Sequence, residues 1–134
     1  MSFSFFAALF SRPLLGTPND DRIFGTNAGE KIIGFSGNDL LIGNGGDDLI
    51  FAGSGNDTLE GGTGRDELYG DDGNDLLRGG DDEDRLEGGA GNDVLIGDRG
   101  NDTILGEDGD DLMIWNNGDG SDLMEGGAGD DTVQ

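Results

Sequence analysis

A nine-residue period governs what this 134-residue chain can fold into. Gly88 to Ile96 (GGAGNDVLI), Gly61 to Tyr69 (GGTGRDELY) and Gly126 to Gln134 (GGAGDDTVQ) share one frame, with glycine at positions one, two and four, aspartate at six and an aliphatic residue at eight. Stepping by nine from Gly88, the frame runs unbroken from Gly16 to Ile114; an eleven-residue copy, Trp115 to Glu125, and a final copy to Gln134 complete thirteen. The sixth position is Asp21, Asp39, Asp48, Asp57, Asp66, Asp75, Asp84, Asp93, Asp102, Asp111, Asp122 and Asp131, with Glu30 the exception. The eighth is apolar in every copy: Ile23, Ile32, Leu41, Ile50, Leu59, Leu68, Leu77, Leu86, Leu95, Ile104, Met113, Met124 and Val133. Glycine holds the fourth position except at Asn19, Ala28 and Asp82. A repeat this short cannot bury its own apolar residue and must stack on its neighbours.

These nonapeptides resemble the RTX (repeats-in-toxin) family, whose hemolysin-type repeats bind calcium. The resemblance spans Gly16 to Gln134. One nonapeptide would be a weak signal in a chain rich in Gly and Asp, whereas a dozen in one register is specific. The resemblance implies a calcium-binding parallel β-roll and a secreted, extracellular protein exported by type I secretion. It also implies that the metal ligands are the sixth-position aspartates Asp39 to Asp131 named above, with the fourth-position glycines Gly37, Gly46, Gly55, Gly64, Gly73, Gly91, Gly100, Gly109 and Gly129.

The residues support that reading independently. Calcium is a hard cation that takes six to eight oxygens at about 2.3–2.6 Å. Glycines admit positive φ at little steric cost and leave main-chain carbonyls unobstructed, so loop carbonyls and Asp carboxylates together can supply the oxygens. The nonapeptide reads as a six-residue loop and a three-residue strand, with the eighth residue facing in and the seventh and ninth facing out. Two nonapeptides then make one coil, with loops on opposite sides, and successive parallel connections should wind right-handed. The expected fold is all-β, a right-handed parallel β-solenoid of about thirteen repeats. Each ion would lie between one loop and the loop two copies on. Counting those gaps and discounting the ones bordered by copies one and two predicts about seven to nine calcium ions.

Charge narrows the partners. Thirty acidic and seven basic side chains give a net charge of −23. Nucleic acids and anionic membrane surfaces attract basic proteins, so neither is expected here, and no apolar run approaches the roughly 18 residues of a membrane span. Low apolar content with high net charge is also the signature of disorder, which we assign to the metal-free chain. Stacked aspartates sharpen the point. Two charges a sheet spacing of roughly 4.8 Å apart repel by about 0.9 kcal/mol even at the dielectric of water. A solvated acidic stripe would not need its acids locked to the glycine and aliphatic positions. With no His and no Cys, His-based acid–base catalysis, HExxH zinc chemistry and disulfides are absent. The loops lack the GKS or GKT of phosphate cradles, and the glycine density excludes EF-hand helices.

The ends depart from the frame. Residues 1–15 (MSFSFFAALFSRPLL) are apolar through Phe3, Phe5, Phe6, Leu9 and Phe10. A basic leading region and a small-residue cleavage site are not evident, so the segment reads as an apolar cap over the first coil, with a leader as the alternative. Residues 16–134 form the repeat domain. Copies one and two (GTPNDDRIF, GTNAGEKII) read as structural coils with poor metal loops. In copy eight, Asp82 replaces the fourth glycine and puts the site beside it in question: it offers an extra acidic ligand, but a residue other than glycine is expected to resist the backbone conformation. Outward aliphatics Leu40, Ile42, Leu49 and Phe51 early, and Val94, Ile96, Leu112 and Ile114 late, are covered by the N-terminal segment or form a docking surface. Copy thirteen ends on its strand, which points to a further domain or capping segment after Gln134. The expected function is calcium binding by a non-enzymatic folding module of a secreted protein. The rivals are the calcium-binding part of a secreted RTX lipase or protease, and an adhesin or polysaccharide-binding module.

Overall fold

A computed structural model of the chain describes residues 12–116 and 120–134. Among the described residues fourteen strands follow one another: β1 (Leu14–Leu15), β2 (Arg22–Phe24), β3 (Lys31–Ser36), β4 (Leu40–Gly45), β5 (Leu49–Ser54), β6 (Thr58–Thr63), β7 (Glu67–Asp72), β8 (Leu76–Asp81), β9 (Arg85–Ala90), β10 (Val94–Arg99), β11 (Thr103–Asp108), β12 (Leu112–Ile114), β13 (Leu123–Ala128) and β14 (Thr132–Val133). Odd-numbered strands form one seven-stranded sheet and even-numbered strands the other. Every pairing is parallel and links strands two apart, so two nonapeptides complete each coil of the solenoid. The expected architecture is the one found.

Strand length differs from the sequence reading. The regular strands span six residues, positions seven to nine of one copy and one to three of the next. Only positions four to six remain as a turn, Gly73–Asp75 for example. The extension has a physical cause: glycine at position one is also an inward-facing strand residue. The burial pattern of β7 through β11 alternates, with the eighth and first positions buried. A bend at position two then starts the reversal, with left-handed backbone even at Phe35 (φ 79°) and Glu107 (φ 82°). Such conformations are uncommon for residues other than glycine, and costly for bulky ones.

The core is one aliphatic row per sheet. Ile32, Ile50, Leu68, Leu86 and Ile104 stand in register in the odd sheet. Leu41, Leu59, Leu77, Leu95 and Met113 do so in the even sheet. All ten are buried. Ile23 and Met124, nearer the ends, are only partly buried against them, and Val133 is exposed. Leu14 and Leu15 precede the repeat frame, yet β1 pairs Leu14 with Ile32 and Leu15 with Ile33 and so extends the odd sheet. The apolar residues Phe3 to Phe10 proposed as a cap lie outside the described residues. The outward aliphatics Leu40, Ile42, Leu49, Phe51, Val94, Ile96, Leu112 and Ile114 are all half-buried. Phe51 stacks on Tyr69 with ring centroids 4.9 Å apart. Among the described residues no helix is long and apolar enough to cross a membrane.

Candidate metal sites along the two edges

The turns line up on two edges. Turns of odd-numbered copies lead from the odd sheet into the even one and stack as the first edge, carrying Asp39, Asp57, Asp75, Asp93, Asp111 and Asp131 with Gly37, Gly55, Gly73, Gly91, Gly109 and Gly129. Turns of even-numbered copies form the second edge, with Asp48, Asp66, Asp84, Asp102 and Asp122 and with Gly46, Gly64 and Gly100. Every one of those glycines has positive φ. At Gly73 (φ 133°) a Cβ would run into the Gly55 carbonyl of the preceding coil, so the turn requires glycine twice over. Asp82 occupies the same place in copy eight at φ 86°, close to the 88° of Gly46. The backbone turn therefore forms at Asp82, aspartate being among the residues that tolerate this region.

In the nine turns from Asp39 to Asp111, each sixth-position aspartate uses one of its two oxygens within the protein and not the other. Oδ1 accepts the main-chain N–H of the corresponding aspartate one coil earlier. Asp39 N–H donates to Asp57 at 2.6 Å, Asp57 to Asp75 at 2.7 Å, Asp66 to Asp84 at 2.8 Å and Asp84 to Asp102 at 2.9 Å. Oδ2 has nothing. In Asp39, Asp48, Asp57, Asp66, Asp75, Asp84, Asp93, Asp102 and Asp111 it is buried without a hydrogen-bond partner, and these nine residues are at most 4% exposed. Asp122 and Asp131, in the last coils, are half-buried and accept N–H bonds from Asp102 and Asp111 at 3.0 Å. A buried charged oxygen without a partner is a large unfavourable term, and a column of them calls for a cation.

The glycine at position one shapes the space beside Oδ2. A Cβ on Gly70 would lie 2.5 Å from Asp75 Oδ2 and 2.5 Å from the Gly88 carbonyl oxygen. A carboxylate oxygen and a main-chain oxygen of the next coil thus converge where a side chain is missing. The same pairing recurs beside Gly61, Gly79, Gly88 and Gly106. Among the described residues no three acidic side chains meet at one point, so any cation held here takes most of its oxygens from the main chain. That donor set, all oxygen and mostly carbonyl, suits calcium.

The electrostatics agree. Burial raises the carboxyl of Asp75 to about 7 and that of Asp84 to about 8, and neighbouring carboxylates push the same way. Asp48, Asp66, Asp93 and Asp102 rise to about 6, again chiefly through burial. The hydrogen bond from the neighbouring aspartate N–H opposes this without cancelling it.

Copies one and two dispose of the same oxygens differently. Thr17, at position two, donates to Asp21 Oδ2 through its main-chain N–H at 2.5 Å and its hydroxyl at 2.9 Å. Thr26 closes on Glu30 with one donor to each carboxylate oxygen, its N–H to Oε2 at 2.9 Å and its hydroxyl to Oε1. Asn19 and Ala28 do not adopt positive φ. In these two loops a threonine latch thus occupies the carboxylate whose second oxygen stands partnerless in the regular copies.

Position five went unread in the sequence. Its side-chain oxygen accepts the N–H of the next position-five residue on the same edge. Asp20 accepts from Asn38, Asn38 from Asn56, Asn56 from Asn74, Asn74 from Asn92, Asn92 from Asp110 and Asp110 from Asp130, all at 2.8–3.0 Å. The signal was available, for Asn or Asp stands at this position in nine of thirteen copies.

The sequence matches the family described as RTX calcium-binding nonapeptide repeat (4 copies) over residues 15–50, 24–59, 33–68, 51–86, 60–95, 78–113 and 117–134. Together these stretches cover nearly all of the chain. No curated protein matches it.

Proposed function

Because the chain belongs to the family of RTX calcium-binding nonapeptide repeats, we propose that it is a calcium-dependent folding module of a secreted protein, unfolded where calcium is scarce and folded after export. The observation that carries the reading is the set of nine buried aspartate oxygens without partners. Asp39, Asp57, Asp75, Asp93 and Asp111 would serve the first edge, and Asp48, Asp66, Asp84 and Asp102 the second. Main-chain carbonyls released by the adjoining glycines complete each oxygen set. The half-buried Asp122 and Asp131 would close the last site on each edge. Calcium supplies charge neutralisation between coils; the chain supplies rigid oxygens and a turn that only glycine, or rarely aspartate, can adopt.

Metal binding in such a roll is folding energy, since the site does not exist in the unfolded chain. The extracellular range of calcium affinities, about 10⁻⁴–10⁻³ M, separates an empty state inside a cell from a loaded one outside. Native mass spectrometry in saturating calcium should count about seven to nine ions, taking the net charge from −23 to roughly −9 to −5. Fewer than four bound ions would sink the reading.

A further inference from the structure

The two edges are not equivalent. On the first edge the position-five ladder is continuous, six hydrogen bonds from Asp20 to Asp130. On the second edge position five is Gly29, Asp47, Arg65, Glu83, Asn101 and Ser121. Two rungs alone form there among the described residues: Arg65 N–H donates to Asp47 at 2.9 Å and Ser121 N–H to Asn101 at 2.9 Å. Between them the ladder stops. Arg65 and Glu83 instead form an ion pair at 2.7 Å with side chains 69% and 53% exposed. An exposed pair of long side chains fixes little. It leaves the N–H groups of Glu83 and Asn101 without a rung, in turns whose orphaned oxygens on Asp66, Asp84 and Asp102 remain in place.

We propose that the position-five Asn and Asp side chains are positioning residues for calcium, and that the second edge at Asp66 and Asp84 is the weak, first-released part of the array. The inference rests on the calcium reading above. A rung ties the turn of one coil to the turn of the next, directly beside the sixth-position carboxylate, so the oxygens of a laddered site are held at fixed spacing before the ion arrives. Pre-organisation of this kind raises affinity by removing an ordering cost at binding. Chain length matters. The rung needs a carboxamide or carboxylate one methylene from the main chain, which Asn and Asp have and Glu, Gln and Arg do not.

That geometry permits a test at constant charge. The double variants Arg65→Asn/Glu83→Asn and Arg65→Gln/Glu83→Gln carry the same net charge and both abolish the ion pair, but the Asn pair alone can restore the rungs. Calcium-loaded protein is mixed with excess fluorescent chelator in a stopped-flow instrument, and the release phases are read. The unmodified chain should release calcium in two phases. The Asn pair should slow the fast phase by about three- to tenfold, the equivalent of one or two net hydrogen bonds, and the Gln pair should not. On the first edge, Asn74→Gln should transfer ions from the slow phase into the fast one. Identical release from the Asn and Gln pairs, or a single phase in the unmodified chain, overturns the proposal. Absence of bound calcium before mixing would overturn the calcium reading itself, and so marks a different failure.

Discussion

At the residue scale, single atoms have separable roles. Asp66 and Asp75 each supply an orphaned Oδ2 and an Oδ1 that receives a buried N–H from Asp48 and Asp57 at 2.8 and 2.7 Å. Replacing either with alanine removes a metal oxygen and strands a buried donor, a loss of about 1–3 kcal/mol from the donor alone. Asp66→Ala and Asp75→Ala should therefore move the calcium midpoint of folding upward by at least about tenfold. Asp20→Ala removes one exposed terminal rung and should move it by less than about threefold. Calcium titrations of the three variants, followed by circular dichroism, check the ranking, and equal shifts would contradict the assigned frame. Gly70→Ala tests the space beside the carboxylate. Its Cβ would crowd both Asp75 Oδ2 and the Gly88 carbonyl, and the carbonyl belongs to a strand and cannot swing away. Overpacking of this sort costs about 1–3 kcal/mol. Copy five already carries a methyl there, Ala52, fully buried beside the Asp57 turn, so Ala52→Gly should ease calcium-dependent folding where Gly70→Ala impedes it.

At the scale of the element, the nonapeptide's fate depends on where the sixth-position carboxylate finds its second partner. Thr17 and Thr26 give it one internally, and the regular copies do not. Converting copy two to the regular frame with Thr26→Gly/Ala28→Gly/Glu30→Asp should thus add one ion to the native mass spectrum, and an unchanged count would show that the latch is not what excludes metal. The aspartate columns also predict a pH response. Their folded values lie above the unfolded one of about 3.9, with Asp75 at about 7 and Asp84 at about 8. The folded state therefore binds protons more tightly than the unfolded chain. This contribution to the metal-free fold is fully present below the unfolded value and disappears as pH rises through about 6 to 8. In chelator, the β-signal should strengthen on acidification from pH about 9 to about 4.5, while in calcium the midpoint should rise because protons compete for the same oxygens. A flat response in chelator would count against the buried column. Much of this element was legible in the sequence. The eighth-position aliphatics and sixth-position acids stood out from the period, and the two-per-coil stacking and the metal role of the acids came with the resemblance to the RTX repeats. Most of what escaped is relational. That glycine at position one faces inward escaped because the sequence reading ends the strand at position nine; that Oδ1 is consumed by the main chain of another coil, and that position five forms a ladder, are facts about residues one coil apart, which no single nonapeptide displays. The left-handed bends at Phe35 and Glu107 escaped for the opposite reason: local propensity argues against them, and the stacked neighbours override it.

At the scale of the whole molecule, the roll is a one-dimensional stack in which each coil touches only its neighbours. Its interior is a single aliphatic row per sheet flanked by columns of buried aspartates, so metal-free stacking opposes itself at every step. An ion placed between two turns relieves that repulsion and fixes the next turn, and nearest-neighbour coupling of this kind makes folding cooperative. Magnesium should not substitute, since it demands near-octahedral geometry at about 2.0–2.1 Å and sheds water reluctantly. The central claim, that calcium and fold are one equilibrium, is tested most directly by circular dichroism of the chain titrated with calcium from excess chelator and, in parallel, with magnesium. The account predicts a coil signal in chelator that gives way to β-structure over a narrow calcium range, with a Hill slope above one and no comparable change in magnesium. The same β-signal in excess chelator at neutral pH, or a coil signal persisting at about 10 mM calcium, well above the range of extracellular sites, would contradict it.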